Sequence, residues 1–286
     1  MIIISGSSST AAKHSMPVLR DKYQVCAFDD DNGDIGNPDF LRKLFSEIKP
    51  QFFINCREFH DIEDAEYKRE DAYRINGLNA GIIADVCRER NVHLIQISSS
   101  FVYESNEDRF YSENEKENPT NVYGDSKLLG ERKISESGCK FCIIRVPYIY
   151  GKGDNFLTKY IQKIRDEEDI ELIKKQVIMP TYAKDLGLLL SAAVEHTLEG
   201  IFNFSNTGEM TIKEFLMKFS EIYNKAGTKI LLPKIKEIEY NDFLSPVDWP
   251  MYNKIDLNKI KSRNIIEIRS VLDSLKDFIS ENYSSI

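Results

Sequence analysis

Apolar residues in the first half of the chain fall in short blocks, each followed by a stretch of helical spacing. Ile2–Ser5, Tyr23–Phe28, Gln51–Asn55, His93–Ser98 and Lys140–Val146 are runs of four to seven residues. Blocks this short, bounded by turn residues, read as strands buried on both faces. Between them, Pro38–Ile48 places Phe40, Leu41, Leu44, Phe45 and Ile48 at helical spacing behind a first-turn proline. Ala65–Arg90 reads as one long helix with Tyr73, Leu78, Ile82, Ile83 and Val86 on one side, and another helix runs from about Tyr123 to Glu136. Alternating strands and helices predict a parallel sheet of right-handed βαβ units, a doubly wound α/β domain of Rossmann type.

The texture changes after about residue 150. Gly151–Asp154 reads as a loop, Phe156–Arg165 and Tyr182–Glu195 as helices, Ile170–Ile173 as a short segment between them, and Gly200–Phe204 as a strand. Thr211–Asn224 is an amphipathic helix opened by Thr211 with Glu214 three residues on, a capping box. Pro233–Pro250 is mixed and loop-like, and Val271–Asn282 is a closing helix. The expected organisation is a Rossmann domain over 1–150 and a smaller, mainly substrate-binding lobe over 151–286, with about 182–205 returning to the first domain. The acidic stretch Glu104–Thr120 reads as a solvated loop and a candidate lid.

Composition narrows the class. The chain has 286 residues, 42% hydrophobic and 29% charged, with a net charge of −8. That balance suits a globular protein and disfavours a nucleic-acid partner, which needs a basic face. No apolar run reaches the length of a membrane span, and the opening Met1-Ile-Ile-Ile-Ser-Gly reads as a strand entering a turn rather than a signal peptide. Five cysteines, with Cys139 and Cys142 inside a strand, read as reduced thiols of a cytoplasmic protein. The four histidines have no ligand spacing, so no metal site is expected.

Candidate chemistry centres on Tyr123 and Lys127, four residues apart and so on one helix face. An ammonium beside a phenol favours the phenolate, so Lys127 is expected to lower the pKa of Tyr123 and ready it for proton transfer. The strand His93–Ser98 runs into three hydroxyls, Ser98–Ser100, and ligands of open α/β sheets bind at such strand ends. Ser, Tyr and Lys together form a proton relay for hydride chemistry on a carbonyl or alcohol. The plain alternatives are a solvated helix face and an ordinary strand-end turn. The first strand leads into Ser5-Gly-Ser-Ser-Ser-Thr-Ala-Ala12, where Gly6 is the one glycine left of a Gly-x-x-Gly-x-x-Gly turn. Ser9 at the second glycine position brings a Cβ towards the phosphates and restricts φ, while hydroxyls and backbone N–H groups there can still bind phosphate. Asp29, ending the second strand, suits the ribose 2′-OH of NAD or, alternatively, a strand-end turn.

These residues resemble the extended short-chain dehydrogenase/reductases, and within them the dTDP-4-dehydrorhamnose reductase group, over nearly the whole chain. Ile54-Asn-Cys56, Glu63, Ala65-Glu66 and Ile75-Asn76 fit that group's third strand and following helix. Ile97-Ser-Ser-Ser-Phe-Val-Tyr103 and Tyr123-Gly-Asp-Ser-Lys-Leu-Leu-Gly-Glu131 resemble its catalytic segments. Arg145-Val-Pro-Tyr-Ile-Tyr-Gly151, Asn155-Phe156, Gln176, Pro180–Asp185, Pro250 and Asp256 follow its later motifs. The resemblance implies Ser99, Tyr123 and Lys127 as catalytic residues. It implies Gly6, Ser8, Ser9, Thr10, Asp29, Asp34, Cys56, Asn76, Lys127 and Val146 at the cofactor, NAD or NADP with NAD slightly favoured. Ser100, Phe101, Asn155, Gln176 and Trp249 are implied at the substrate. The implied reaction is reduction of the 4-keto group of a nucleotide-activated 6-deoxyhexulose in deoxysugar biosynthesis, with a homodimer the family habit. Epimerase or dehydratase chemistry on tightly held NAD, and a non-catalytic regulatory member, remain alternatives. The chain departs from the pattern at Arg57-Glu58, where the group has Ala-Ala. Ser100 stands for Asp, Ile178 for Gly and Trp249 for Arg.

Overall fold

The apolar blocks of the first half become strands of one parallel sheet. The computed structural model describes residues 1–227 and 230–282. In chain order it runs β1 (Ile2–Ser5), α1 (Thr10–Arg20), β2 (Val25–Phe28), α2 (Pro38–Ile48), β3 (Phe52–Asn55), α3 (Ile62–Tyr67), α4 (Arg69–Ala72), α5 (Asn79–Arg90), β4 (His93–Ser99), α6 (Val122–Ser137) and β5 (Phe141–Val146). It continues with β6 (Ile149–Tyr150), α7 (Phe156–Arg165), β7 (Ile170–Ile173), β8 (Val177–Ile178), β9 (Thr181–Tyr182), α8 (Ala183–Glu195), β10 (Gly200–Asn203), β11 (Met210–Thr211) and α9 (Ile212–Lys225). The last elements are β12 (Ile235–Ile238), β13 (Tyr252–Asn253), α10 (Asn258–Ser262) and α11 (Val271–Asn282).

The main sheet has the order β10-β5-β4-β3-β1-β2, with every pairing parallel. Alternate side chains go to opposite faces. Ile2 and Ile4 pack with Ala12, Leu19, Leu186 and Leu190 of α1 and α8, while Ile3 and Phe53 pack with Leu41, Phe45, Ile83 and Val86 of α2 and α5. The doubly wound fold follows directly from strands apolar on both sides. The segment α8–β10 lies with this sheet, α8 against α1 and β10 beside β5. Ile255, Leu257 and, on α10, Ile260 also join the core of this sheet, and most of the remaining second half forms a lobe around Tyr150, Leu157, Phe215, Phe219 and Phe278, with small sheets β7–β12 and β11-β8-β13. Residues 283–286, at the end of the expected lobe, lie outside the described residues. Among the described residues no helix is long and apolar enough to cross a membrane.

The stretch Ala65–Arg90 is not one helix. A helix starts earlier, at Ile62, where the Asp61 side chain accepts from Asp64 N–H at 2.9 Å. It breaks at Lys68, resumes as α4, and widens into a π-helical turn over Tyr73–Leu78 before α5. The wide turn holds Asn76, whose amide accepts from Phe59 N–H at 2.8 Å and donates to Ser126 Oγ at 2.9 Å. Close approach of α6 demands glycine opposite it, since a Cβ on Gly130 would lie 2.3 Å from the Asn76 carbonyl oxygen. Within the mixed stretch 233–250, Ile235–Ile238 form β12. The 104–120 segment is pinned rather than hinged. Tyr111 exchanges backbone bonds with Lys254 and Asp256, and Glu113 and Glu117 accept from Asn203 N–H and Arg145 at 2.7 Å. None of its residues lines the cavity described below.

A buried charge knot joins these layers. Arg145, fully buried on β5, donates to both carboxylate oxygens of Glu131 on α6, at 3.0 and 2.6 Å, and to Tyr103 Oη at 2.7 Å. Ser98 at the end of β4 donates to the same carboxylate at 2.5 Å. Removing Glu131 leaves the buried guanidinium with only the half-buried Glu117 as a counter-charge. Glu131→Ala is therefore expected to lower the unfolding free energy by about 3–5 kcal/mol in urea titrations.

Candidate active site

The carboxyl ends of β1, β2, β3, β4 and β5 open into a cavity of about 730 Å³ between the main sheet and the lobe. Its sheet side holds Gly6, Ser8, Ser9, Thr10, Asp29, Cys56, Ser99, Tyr123 and Val146, and its lobe side holds Tyr148, Asn155, Lys159, Gln176 and Trp249. Phe101 also lines it, its ring 5.7 Å from Tyr123 and 6.3 Å from Trp249.

At the β1–α1 turn, Gly6 has φ +66°, and a Cβ there would lie 2.5 Å from Arg57 N. The chain after β3 thus presses against the turn, and only glycine leaves room. Ser9 adopts φ −65° and ψ 153°, an extended conformation open to any residue, so the strain expected there is absent. Its hydroxyl caps α1 by accepting from Ala12 N–H at 3.2 Å. The Asp29 carboxylate accepts from Ser8 N–H at 2.8 Å and from Ser7 Oγ at 3.1 Å, which holds the turn open towards the cavity. An open N-terminal turn of α1, a glycine with no space for a side chain and an acidic strand end together fit the adenosine and phosphate end of a dinucleotide.

The opposite end is filled by the protein itself. One Glu58 oxygen accepts from Tyr123 Oη at 3.0 Å and from Lys127 Nζ at 3.0 Å, while Lys127 also donates to the Ile97 carbonyl at 2.8 Å. Lys127 is 3% exposed and Glu58 23%. Burial and the Glu58 carboxylate push the Tyr123 phenol well above its ordinary value, and a hydrogen bond with Ser99 pulls only partly the other way. This reverses the lowering expected from Lys127: burial dominates, and the Glu58 carboxylate adds to it.

Several expected site residues have other partners. Lys127 does not line the cavity and lies beneath Glu58. Asn76 is buried and fastens the chain at Phe59. Asp34 accepts from Gly36 N–H at 2.8 Å in a turn away from the cavity. Ser100 is fully buried behind the wall. Asn155 does line the cavity, but its amide is consumed locally. It accepts from Leu157 and Thr158 N–H and donates to the Gly151 and Gly153 carbonyls. Gln176 donates to the Pro250 carbonyl at 3.1 Å and Trp249 Nε1 to Ser245 Oγ at 2.9 Å. The pattern reading passed over His60, Asp61 and Lys159; it marked Glu58 as a departure from Ala but not its bonds to Tyr123 and Lys127, the latter 69 residues away.

The family described as the RmlD substrate binding domain matches residues 1–284. The dTDP-4-dehydrorhamnose reductase of Escherichia coli strain K12 is 24% identical over 294 residues, covering 99% of this chain and 98% of its own. The crystal structure of dTDP-4-dehydrorhamnose reductase from Bacillus anthracis strain Ames, in complex with NADP, is similar with a TM-score of 0.90 and 28% identity, covering 98% of each chain. UDP-glucose 4-epimerase from Thermus thermophilus, in complex with NAD, shares the fold at a TM-score of 0.83 and 16% identity, covering 100% of this chain and 99% of its own.

The geometry makes two expected outcomes concrete. Gly6→Ala should lower stability by about 1–3 kcal/mol in urea unfolding, because its φ and the Arg57 backbone both oppose a side chain. Burial also raises the Tyr103 phenol, to about 12. An acid whose folded-state pKa is raised binds more protons folded than unfolded above about pH 10, so its stability is intact below about pH 10 and lost as pH rises through the folded value. Unfolding free energy measured from about pH 9 to 11.5 should fall, and the slope above about pH 10 should be shallower in Tyr103→Phe.

Proposed function

The chain belongs to the family of the RmlD substrate binding domain, and on that premise we propose that it reduces the 4-keto group of a nucleotide-activated 6-deoxyhexulose with NAD(P)H. The observation that carries the reading is the meeting of Ser99 and Tyr123 at the floor of a cavity that begins at the Gly6 turn and ends in the lobe.

When bound, the dinucleotide supplies the hydride that reaches the carbonyl carbon. The side chains handle the oxygen. Ser99 donates a hydrogen bond to the carbonyl and polarises it. Tyr123 passes its proton to the alkoxide as it forms, and a phenol held neutral by burial is in the correct state to donate. With Glu58 moved aside, the Lys127 ammonium would stabilise the developing negative charge through its place one helical turn from Tyr123 and would hold the nicotinamide ribose. Aromatic rings at Phe101, Tyr148 and Trp249 offer flat apolar walls to a deoxysugar, whose missing hydroxyl leaves one edge apolar. Asp29 at the mouth supports NAD over NADP, because a carboxylate accepts from a ribose 2′-OH and repels a 2′-phosphate.

Tyr123→Phe removes the proton donor and keeps the ring that packs on Phe101. Turnover of dTDP-4-dehydrorhamnose, followed as loss of nicotinamide absorbance, should drop by about 10²–10⁴-fold with an unchanged melting temperature. Wild-type-like turnover in this variant sinks the assignment of Tyr123.

A further inference from the structure

Glu58 stands between the cavity and the ammonium that the reductase chemistry needs. It lines the cavity, whereas Lys127 does not. One of its carboxylate oxygens takes both the Tyr123 hydroxyl and the Lys127 ammonium at 3.0 Å. A hydrogen bond between ammonium and carboxylate is roughly twice as strong as one between neutral groups. Ribose hydroxyls therefore meet an occupied Lys127, and a substrate oxygen meets a phenol whose proton points elsewhere.

The backbone on either side of Glu58 is fastened. Arg57 N–H donates to Asn55 Oδ1 at 3.2 Å, and Phe59 is bonded through both its N–H and its carbonyl to Asn76. The Asn55 side chain is itself held by Ser5 and Gln96. The carboxylate can leave Lys127 only by rotating its own side chain, since the loop that carries it is tied to β1, β4 and the π-helical turn.

We propose that Glu58 sets dinucleotide affinity: it is a built-in competitor that must be displaced from Lys127 and Tyr123 before the nicotinamide ribose can bind there. This rests on the reductase reading. Glu58 then acts as a specificity residue, admitting only a dinucleotide whose adenosine and phosphate contacts at the Gly6 turn offset the lost ion pair.

The test is equilibrium binding of NADH and NADPH, by nicotinamide fluorescence and calorimetry, to the wild-type protein, Glu58→Ala and Glu58→Gln. Glu58→Ala should bind about tenfold tighter or more, as expected when a charged competitor is removed, with Glu58→Gln between it and wild type. Urea unfolding of each variant reports whether it folds. Glu58→Gln is the closest match in shape, and tighter binding by it alone supports the proposal if Glu58→Ala does not fold. Binding by the wild type with equal or weaker binding by the folded variants overturns the proposal and leaves the reductase reading standing. Binding by none of the three proteins up to millimolar dinucleotide overturns the reading itself and the proposal with it.

Discussion

A guanidinium with no solvent contact organises the centre of this molecule. Arg145 must meet its counter-charges inside the protein, because an unpaired buried cation is far costlier than any packing defect. Glu131 supplies most of that compensation, and Glu117, Tyr103 and Ser98 complete the set of partners around the pair. Helix spacing carries the consequence to the active site. Glu131, Lys127 and Tyr123 recur at intervals of four, so the anchor, the ammonium and the phenol share one face of α6. With Glu131 locked onto β5, Lys127 comes to lie over the Ile97 carbonyl and Tyr123 over the end of β4. Gly130 allows this helix to sit against the Asn76 carbonyl, so the helix is fixed from two sides.

The same reasoning explains why the departure at residue 58 matters more than its single side chain suggests. Lys127 is buried, and a buried ammonium without an anion draws strongly on whatever acceptor is near. Alanine at this position leaves that demand to a ligand. Glutamate meets it from within the chain, and it also turns the Tyr123 proton away from the cavity. Burial raises the Tyr123 phenol and the carboxylate just beyond the end of β3 adds to that rise; the same carboxylate shields Lys127, and the tethered backbone at residues 57–59 keeps it there.

The pattern of apolar positions was sufficient for the sheet because most of its strands are buried on both faces and leave unbroken runs such as Ile2–Ile4 and Phe141–Ile144. Helices with strong caps were equally legible, as the bounds Pro38–Ile48 and Phe156–Arg165 show. What could not be read from local pattern depended on distant partners. The π-helical turn exists because Asn76 reaches Phe59 and Ser126 and because Gly130 makes space, none of which has a local signature. Ser9 looked strained by analogy with glycine, yet its φ is ordinary, because the turn puts its positive φ at Gly6 alone. Asp34 and Ser100 have residue types suited to a site, and only the path of the chain after β2 and β4 places them outside it.

The lobe side of the cavity carries a further constraint on recognition. Four contacts tie it to the sheet side: Thr10 Oγ1 to the Asp154 carbonyl, Lys152 N–H to His14 Nε2, His60 to Asp154, and Lys159 to Asp61. The first three converge on the loop before α7 and the fourth on α7 itself; the loop's shape is held by the Asn155 amide through bonds to Gly151, Gly153, Leu157 and Thr158. Asn155 thus has no polar atom left over for a sugar hydroxyl without giving up the loop that closes the cavity. On the proposed reductase reading, recognition of the hexulose would fall instead to groups whose positions do not depend on that loop. These are the Ser99 and Tyr123 hydroxyls on the sheet side and the ring faces of Phe101, Tyr148 and Trp249 opposite. On that reading, two hydroxyls set among aromatic rings would read the oxygen at one ring carbon and the apolar edge of the sugar, which are the two features that distinguish a 4-keto-6-deoxyhexulose from a fully hydroxylated hexose.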